Sequence, residues 1–302
     1  MPTTSPEIAR RALRGLTESQ VRYVVLHAAQ KLEEGGISDV DVAVETDPIE
    51  IIKTVRPAWA RSGLTPILIW PYDIGGTLTV FLASADGSEG VQLDMLFDRE
   101  GMGKYGVRSQ GLVDSAIVGP IPVVNEPARL TYLWRKRVVK GHDRVLDALR
   151  AEAATIPEED LVRASNQLTG SADTAHELLG RTEKRSRIGE THPVTRLRRL
   201  TDRILHPIGY WAHVNDQTIA DELASRLSGY LVVVRTGPIP SFPGQIWWYF
   251  RRVLPTTLSP GVFLSHGSRP TWGPAPSVVL DPSTIDDAAS LLISTMGETV
   301  PG

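Results

Sequence analysis

The stretch Gly35-Gly36-Ile37-Ser38-Asp39-Val40-Asp41-Val42-Ala43-Val44 decides how the rest of the chain is read, together with the later run Val91-Gln92-Leu93-Asp94-Met95-Leu96. In an extended strand alternate side chains share a face, so Asp39 and Asp41 project together while Val40, Val42 and Val44 turn into a core. The second run carries Asp94 in an equally apolar setting and is expected to pair alongside. Three carboxylates converging from neighbouring strands repel one another unless a cation neutralises them. An all-oxygen donor set suits Mg²⁺ or Mn²⁺, ions that leave room for water and substrate phosphates. That chemistry serves phosphoryl and nucleotidyl transfer. The simpler alternative is a set of solvated acids at strand edges, caps and turns.

Working outward, Arg22-Tyr23-Val24-Val25-Leu26-His27 reads as a first strand. A helix over 28–34 would end at Gly35-Gly36. Pro48 opens a helix in which Ile51, Ile52, Val55 and Trp59 recur at helical spacing, closed by Arg61-Ser62-Gly63. Residues 66–72 and 77–83 form a predicted hairpin around Asp73-Ile74-Gly75-Gly76, and Asp86-Gly87 turns the chain into the strand carrying Asp94. Residues 8–16 read as a short basic helix or arm. The order strand, helix, strand, helix and three strands predicts a compact α+β module. From Pro127 the composition becomes helical, with Leu130, Leu133, Trp134, Arg135, Lys136 and Arg137 at its start, a continuation over 145–150 and a new helix start at Ile156-Pro157-Glu158. Beyond His206 the chain mixes a predicted helix at 216–227, a strand at 230–235 and a Pro/Gly-rich stretch at 237–276.

The chain has 302 residues, which favours two domains over one. With 41% hydrophobic and 22% charged residues it has the balance of a globular protein, and a net charge of −3 gives no global attraction to nucleic acid or membranes. The chain contains no cysteine, which excludes disulfides, thiolate catalysis and zinc–sulfur sites. Its seven histidines have no metal-ligand spacing. A start without an apolar leader core, and no run approaching the length of a membrane span, lead to the expectation of a cytoplasmic protein without a membrane partner.

Ser38-Asp39-Val40-Asp41, Val91-Gln92-Leu93-Asp94 and the loop Gly101-Met102-Gly103-Lys104-Tyr105-Gly106 resemble the nucleotidyltransferase superfamily with the polymerase β-like fold. More narrowly, they look like bacterial nucleotidyltransferases fused to a thymidylate-kinase-like domain. The resemblance covers about the first 135 residues. It implies an N-terminal nucleotidyltransferase-fold mixed sheet with helices at 1–135, a helical connector at 136–205 and a small, degenerate α/β kinase-like domain at 206–302. It further implies Asp39, Asp41 and Asp94 as metal ligands for Mg²⁺ or Mn²⁺, with Asp94 also catalytic. His27, Ser38 and Lys104 would lie beside the donor nucleotide. The donor would be an NTP such as ATP, and the acceptor a hydroxyl-bearing molecule, with a small molecule ahead of RNA or protein.

Two departures stand out. Ala28-Ala29 occupy the turn where the family places Gly followed by Gly or Ser, and an alanine Cβ hinders close approach of a phosphate. After the strand expected near 206–214, Asn215-Asp216-Gln217-Thr218 runs straight into a helix, and no lysine follows Lys184, so a P-loop lysine is missing. The competing expectation is therefore a catalytically inactive nucleotide-binding or scaffold protein on the same frame. Simpler readings accompany the other candidates: His27 as a strand-end residue, Lys104 as part of a surface loop, Asp98 as a turn residue, and Trp247 to Phe250 as core rather than a base-stacking platform. The arginines between Arg181 and Arg203 read as a solvated helix face in preference to an RNA contact.

Overall fold

The protein is described by a computed structural model over residues 6–26, 39–73, 76–98, 103–182, 209–229, 231, 233–241, 244–254, 261–267, 276–281 and 284–300. The architecture is mixed α/β. Strands β1 (Tyr23–Val25), β2 (Asp39–Val44), β3 (Leu64–Asp73), β4 (Thr77–Ser84), β5 (Gly90–Leu96), β6 (Ala116–Ile117) and β7 (Val123–Val124) form a seven-stranded sheet in the order β3-β4-β5-β2-β1-β7-β6. Its pairs are antiparallel except β2 with β5 and β1 with β7. The hairpin expected around 73–76 is the β3–β4 pair, and the run carrying Asp94 is β5, paired parallel to β2.

Strand alternation sorts this sheet into two faces. Val40, Val42 and Val44 of β2 join Val80, Leu82, Leu93 and Met95 in one core. That core is covered by the helices Pro6–Glu18 and Pro48–Arg61. The second helix starts where sequence chemistry places it. Asp47 caps it by accepting from the Ile49 amide at 2.8 Å, and Pro48, whose missing N–H costs nothing in a first turn, follows. Trp59 locks the two helices together, its buried Nε1 donating to the Ala12 carbonyl at 2.9 Å.

On the opposite face Val24, Leu26, Ala43 and Leu96 pack under the helical region. The helices there are Ser109–Asp114, Glu126–Lys140, Leu146–Ala153, Glu158–Thr169 and Asp173–Leu178. The same face also contributes Phe81 and Ala83 of β4, with Ile67 and Leu68 of β3, to a third core.

That third core is shared with a second sheet. Strands β8 (Tyr210–Val214), β9 (Val233–Pro238), β10 (Gly261–His266) and β11 (Val278–Leu280) are all parallel, in the order β11-β8-β10-β9. Every residue of β8 and of β10 is buried, as a parallel sheet covered on both faces requires. One face meets the helices Gln217–Leu227 and Ile285–Thr299; on the other, Trp248, Tyr249 and Val253 pack on Trp211 and Phe263. Leu292, Ile293 and Met296 of the last helix pack in the same core as Ile67, Leu68 and Phe81. Arg56 fastens that helix end by donating to the Gly297 carbonyl at 2.6 Å and the Val300 carbonyl at 2.8 Å.

Sequence and structure part company mainly in the second half. The strand expected at 230–235 runs instead over Val233–Pro238, and the Pro/Gly-rich stretch contains the helix Gly244–Trp248 and the central strand β10. The helix expected at 28–34 lies outside the described residues.

Candidate functional site

The site is built by register. Asp41 of β2 stands opposite Asp94 of β5, and Asp94 stands opposite Thr79 of β4, which puts three polar side chains in one row across three strands. Asp39 lies two positions along β2 on the same face. Carboxylate oxygens of Asp39, Asp41 and Asp94 all come within 4.8 Å of one another, a grouping that can hold a metal ion. The row falls between the apolar patch around Ala43 and Leu96 and that around Phe81 and Ala83, so two cores flank it on one sheet face.

Each acid has a distinct environment. Thr79 donates its hydroxyl to Asp94 Oδ1 at 2.6 Å, and Gln92 donates its amide to the same oxygen at 3.0 Å. These bonds favour the charged form, yet burial, together with the charges of Asp41 and Asp39, raises the Asp94 pKa above its ordinary value. Asp41 is 4% exposed, and its Oδ2 receives the Lys136 ammonium at 2.6 Å. Lys136 itself is 7% exposed.

Lys136 arrives from the helix Glu126–Lys140, whose ends are well defined. Asn125 caps the start by accepting from the Ala128 amide at 3.0 Å, and Gly141 closes the other end in the left-handed conformation, φ 65°. Tyr132, Lys136 and Lys140 are spaced four apart and line one face. The Lys136 ammonium lies 5.5 Å from the Tyr132 ring centre. The Tyr132 hydroxyl is wholly buried and has no hydrogen-bond partner among the described residues. Its pKa is pushed well up, first by burial and then by Asp41, Tyr105 and Asp94, which places the hydroxyl in the field of the acids. Lys140 has its pKa lowered, chiefly by burial and then by Lys136, against an opposing pull from Asp41 and Asp39.

The donor set fits a hard divalent cation. Three carboxylate oxygens converge, and a buried phenol hydroxyl without a partner among the described residues lies in the same field, where a metal-bound water or substrate oxygen would satisfy it.

Of the residues expected beside the donor, Lys104 sits in a 3₁₀ turn, Lys104–Gly106, with its ammonium 5.3 Å from the Tyr105 ring centre. Tyr105 holds a left-handed backbone, φ 63°, and its carbonyl accepts from Arg135 Nε at 3.1 Å. A non-glycine residue in that region is strained by about 1–3 kcal/mol. Its ring meets Tyr132 edge-on at 6.1 Å, so the strained turn supports the phenol beside the acids. His27, Ser38 and the Ala28-Ala29 turn lie outside the described residues, as do the arginines from Arg185 to Arg203. Arg181 is paired with Glu158. Asp98, expected as a turn residue after its strand, accepts instead from the Ser109 amide at 2.6 Å, at the start of the helix Ser109–Asp114. Trp248 and Tyr249 are half-buried and pack against Trp211, while the side chains of Trp247 and Phe250 lie outside the described residues.

Thr79, Gln92, Tyr132 and Lys136 are the site residues that sequence reasoning missed. Tyr132, Lys136 and Lys140 recur at four-residue spacing along one helix, but that spacing does not say which strand they face. Thr79 and Gln92 had no signal beyond their strands.

No protein-family model matches the chain, and no curated protein matches it. The chemistry of the site therefore carries the functional argument.

Proposed function

We propose that Asp39, Asp41 and Asp94 form the metal-dependent centre of a nucleotidyltransferase that moves an NMP from an NTP to a hydroxyl-bearing acceptor, a small molecule in the first instance. The observation that carries this reading is the convergence of three carboxylate oxygens within 4.8 Å on adjacent parallel strands. The three acids would hold Mg²⁺ or Mn²⁺, which supplies Lewis-acid stabilisation of charge on the transferring phosphate. The chain's own groups do the rest. The acceptor hydroxyl oxygen attacks the α-phosphorus, the bond to the β-phosphate oxygen breaks, and pyrophosphate leaves with the bonding pair. Asp94, the acid on the strand beside Asp39 and Asp41, takes the acceptor proton. Lys136 and Lys140 provide positive charge for the phosphates from the facing helix.

The test is calorimetric titration of each NTP with and without Mg²⁺ or Mn²⁺, in wild type, Asp39→Asn and Asp94→Asn. Metal-dependent binding lost in both variants, followed by pyrophosphate release once an acceptor is supplied, is the expected result. Binding that ignores both the metal and the substitutions would remove the catalytic reading. One observation favours the second reading, a nucleotide-binding or scaffold protein: Asp41 already has a cationic partner in Lys136.

A further inference from the structure

We propose that Lys136 is an internal counter-ion that competes with a divalent cation for Asp41, so that metal alone enters weakly while metal and polyphosphate enter together. This rests on the metal site proposed above and adds a rule for how it fills.

The Lys136 ammonium lies 2.6 Å from Asp41 Oδ2, with both side chains nearly excluded from water. A divalent ion of the magnesium type needs its carboxylate oxygens at about 2.0–2.1 Å and tolerates little distortion. An oxygen that already receives an ammonium at hydrogen-bond distance cannot take such an ion while the ammonium stays, because the two cations would be held in near contact in a poorly screened site. An ion seated on Asp41 Oδ2 therefore requires Lys136 to move, and one seated on Oδ1 of the same carboxylate is still opposed by the adjacent ammonium. Removing a buried ammonium from its partner is costly unless another anion receives it. Among the described residues, Asp39 and Asp94 are the carboxylates grouped with Asp41, and both belong to the metal's own donor group. A polyphosphate brought by the metal supplies the missing anion, and Lys140, one turn along the same face, adds a second cation for it. Lys136 thereby couples the two ligands: each strengthens the other, by the same factor in either direction. The Tyr132 ring lies under the ammonium, 5.5 Å from centre to nitrogen.

Two measurements with Mn²⁺ as the probe decide the matter. In the first, Mn²⁺ is titrated calorimetrically into wild type, Lys136→Met and Asp39→Asn. Lys136→Met binds Mn²⁺ alone about tenfold more tightly than wild type. In the second, wild type is acetylated briefly with acetic anhydride, and Lys136 is compared with the exposed Lys53 by mass spectrometry. Saturating Mn²⁺ raises Lys136 acetylation several-fold, and inorganic tripolyphosphate added with Mn²⁺ suppresses it again. Equal Mn²⁺ affinity in wild type and Lys136→Met, or Lys136 labelling that stays constant as Mn²⁺ saturates the site, overturns the lysine proposal and leaves the metal site standing. Absence of Mn²⁺ binding in every protein overturns the metal site and this proposal with it. If Lys136→Met does not fold, as circular dichroism would report, the labelling of wild type decides alone.

Discussion

At Asp94 two opposing influences meet on one carboxylate. Thr79 and Gln92 stabilise its charge by hydrogen bonding, while burial and the neighbouring acids oppose it more strongly, so the native pKa stands above the ordinary 3.8. A carboxyl whose native pKa is raised binds more protons in the folded than in the unfolded state. Its contribution favours folding below the unfolded pKa and is lost as the pH climbs through the native value. Metal-free wild type should therefore lose thermal stability relative to Asp94→Asn as the pH rises from about 4 to 7. Saturating Mn²⁺ should narrow that gap at pH 7. Melting curves of both proteins across this range check it, and parallel pH profiles would sink the account. Thr79→Val removes the 2.6 Å bond to Asp94 while preserving shape, and should cost about 1–2 kcal/mol in urea unfolding. The acids themselves were legible, because two-residue alternation inside an apolar strand is a local pattern. Lys136 was not, since its bond to Asp41 spans 95 positions and depends on where a helix lies over the sheet.

The elements that position the acids are held by close helix contact. Gly15 on the first helix faces Trp59 on the helix Pro48–Arg61 so tightly that a Cβ there would lie 2.4 Å from the indole Cδ1. Trp59 is fully buried and bonded to the Ala12 carbonyl, so it has no room to retreat. Gly15→Ala should accordingly destabilise the protein by about 1–3 kcal/mol, even though alanine is the better helix former. Urea unfolding of the variant measures this, and an unchanged midpoint would mean that the two helices separate freely. The helix Pro48–Arg61 was readable because its cap, its first-turn proline and its apolar spacing agree. Strand β10 was hidden for the opposite reason. Its six residues are buried throughout, so they lack the alternation that marks a half-buried strand, and they sit in a Pro/Gly-rich stretch that reads as loop.

Across the whole molecule the decisive feature is a core that ignores chain order. Ile67, Leu68 and Phe81 from the sheet bearing the acids share it with Tyr210, Val262 and Leu264 from the second sheet, and Leu292 and Met296 of the last helix complete it. Composition and length divide this chain into segments, but no local pattern announces that residues more than 200 positions apart will pack together, as Arg56 and Gly297 do across 241 positions. Contacts of that span tie the stability of one sheet to the other, so the two should unfold as one cooperative unit. Leu292 is fully buried, and truncating it leaves a cavity facing both sheets. Leu292→Ala should therefore cost about 2–5 kcal/mol. The loss should appear as one transition moved to lower temperature, with far-UV circular dichroism and tryptophan fluorescence still coincident, because Trp59 and Trp134 report on one sheet and Trp211 and Trp248 on the other. Two separated transitions in the variant would show instead that each sheet carries its own stability and that the last helix is a dispensable bridge. A single shifted transition would mean that the loss at Leu292 reaches β4, and through Thr79 the carboxylate row itself.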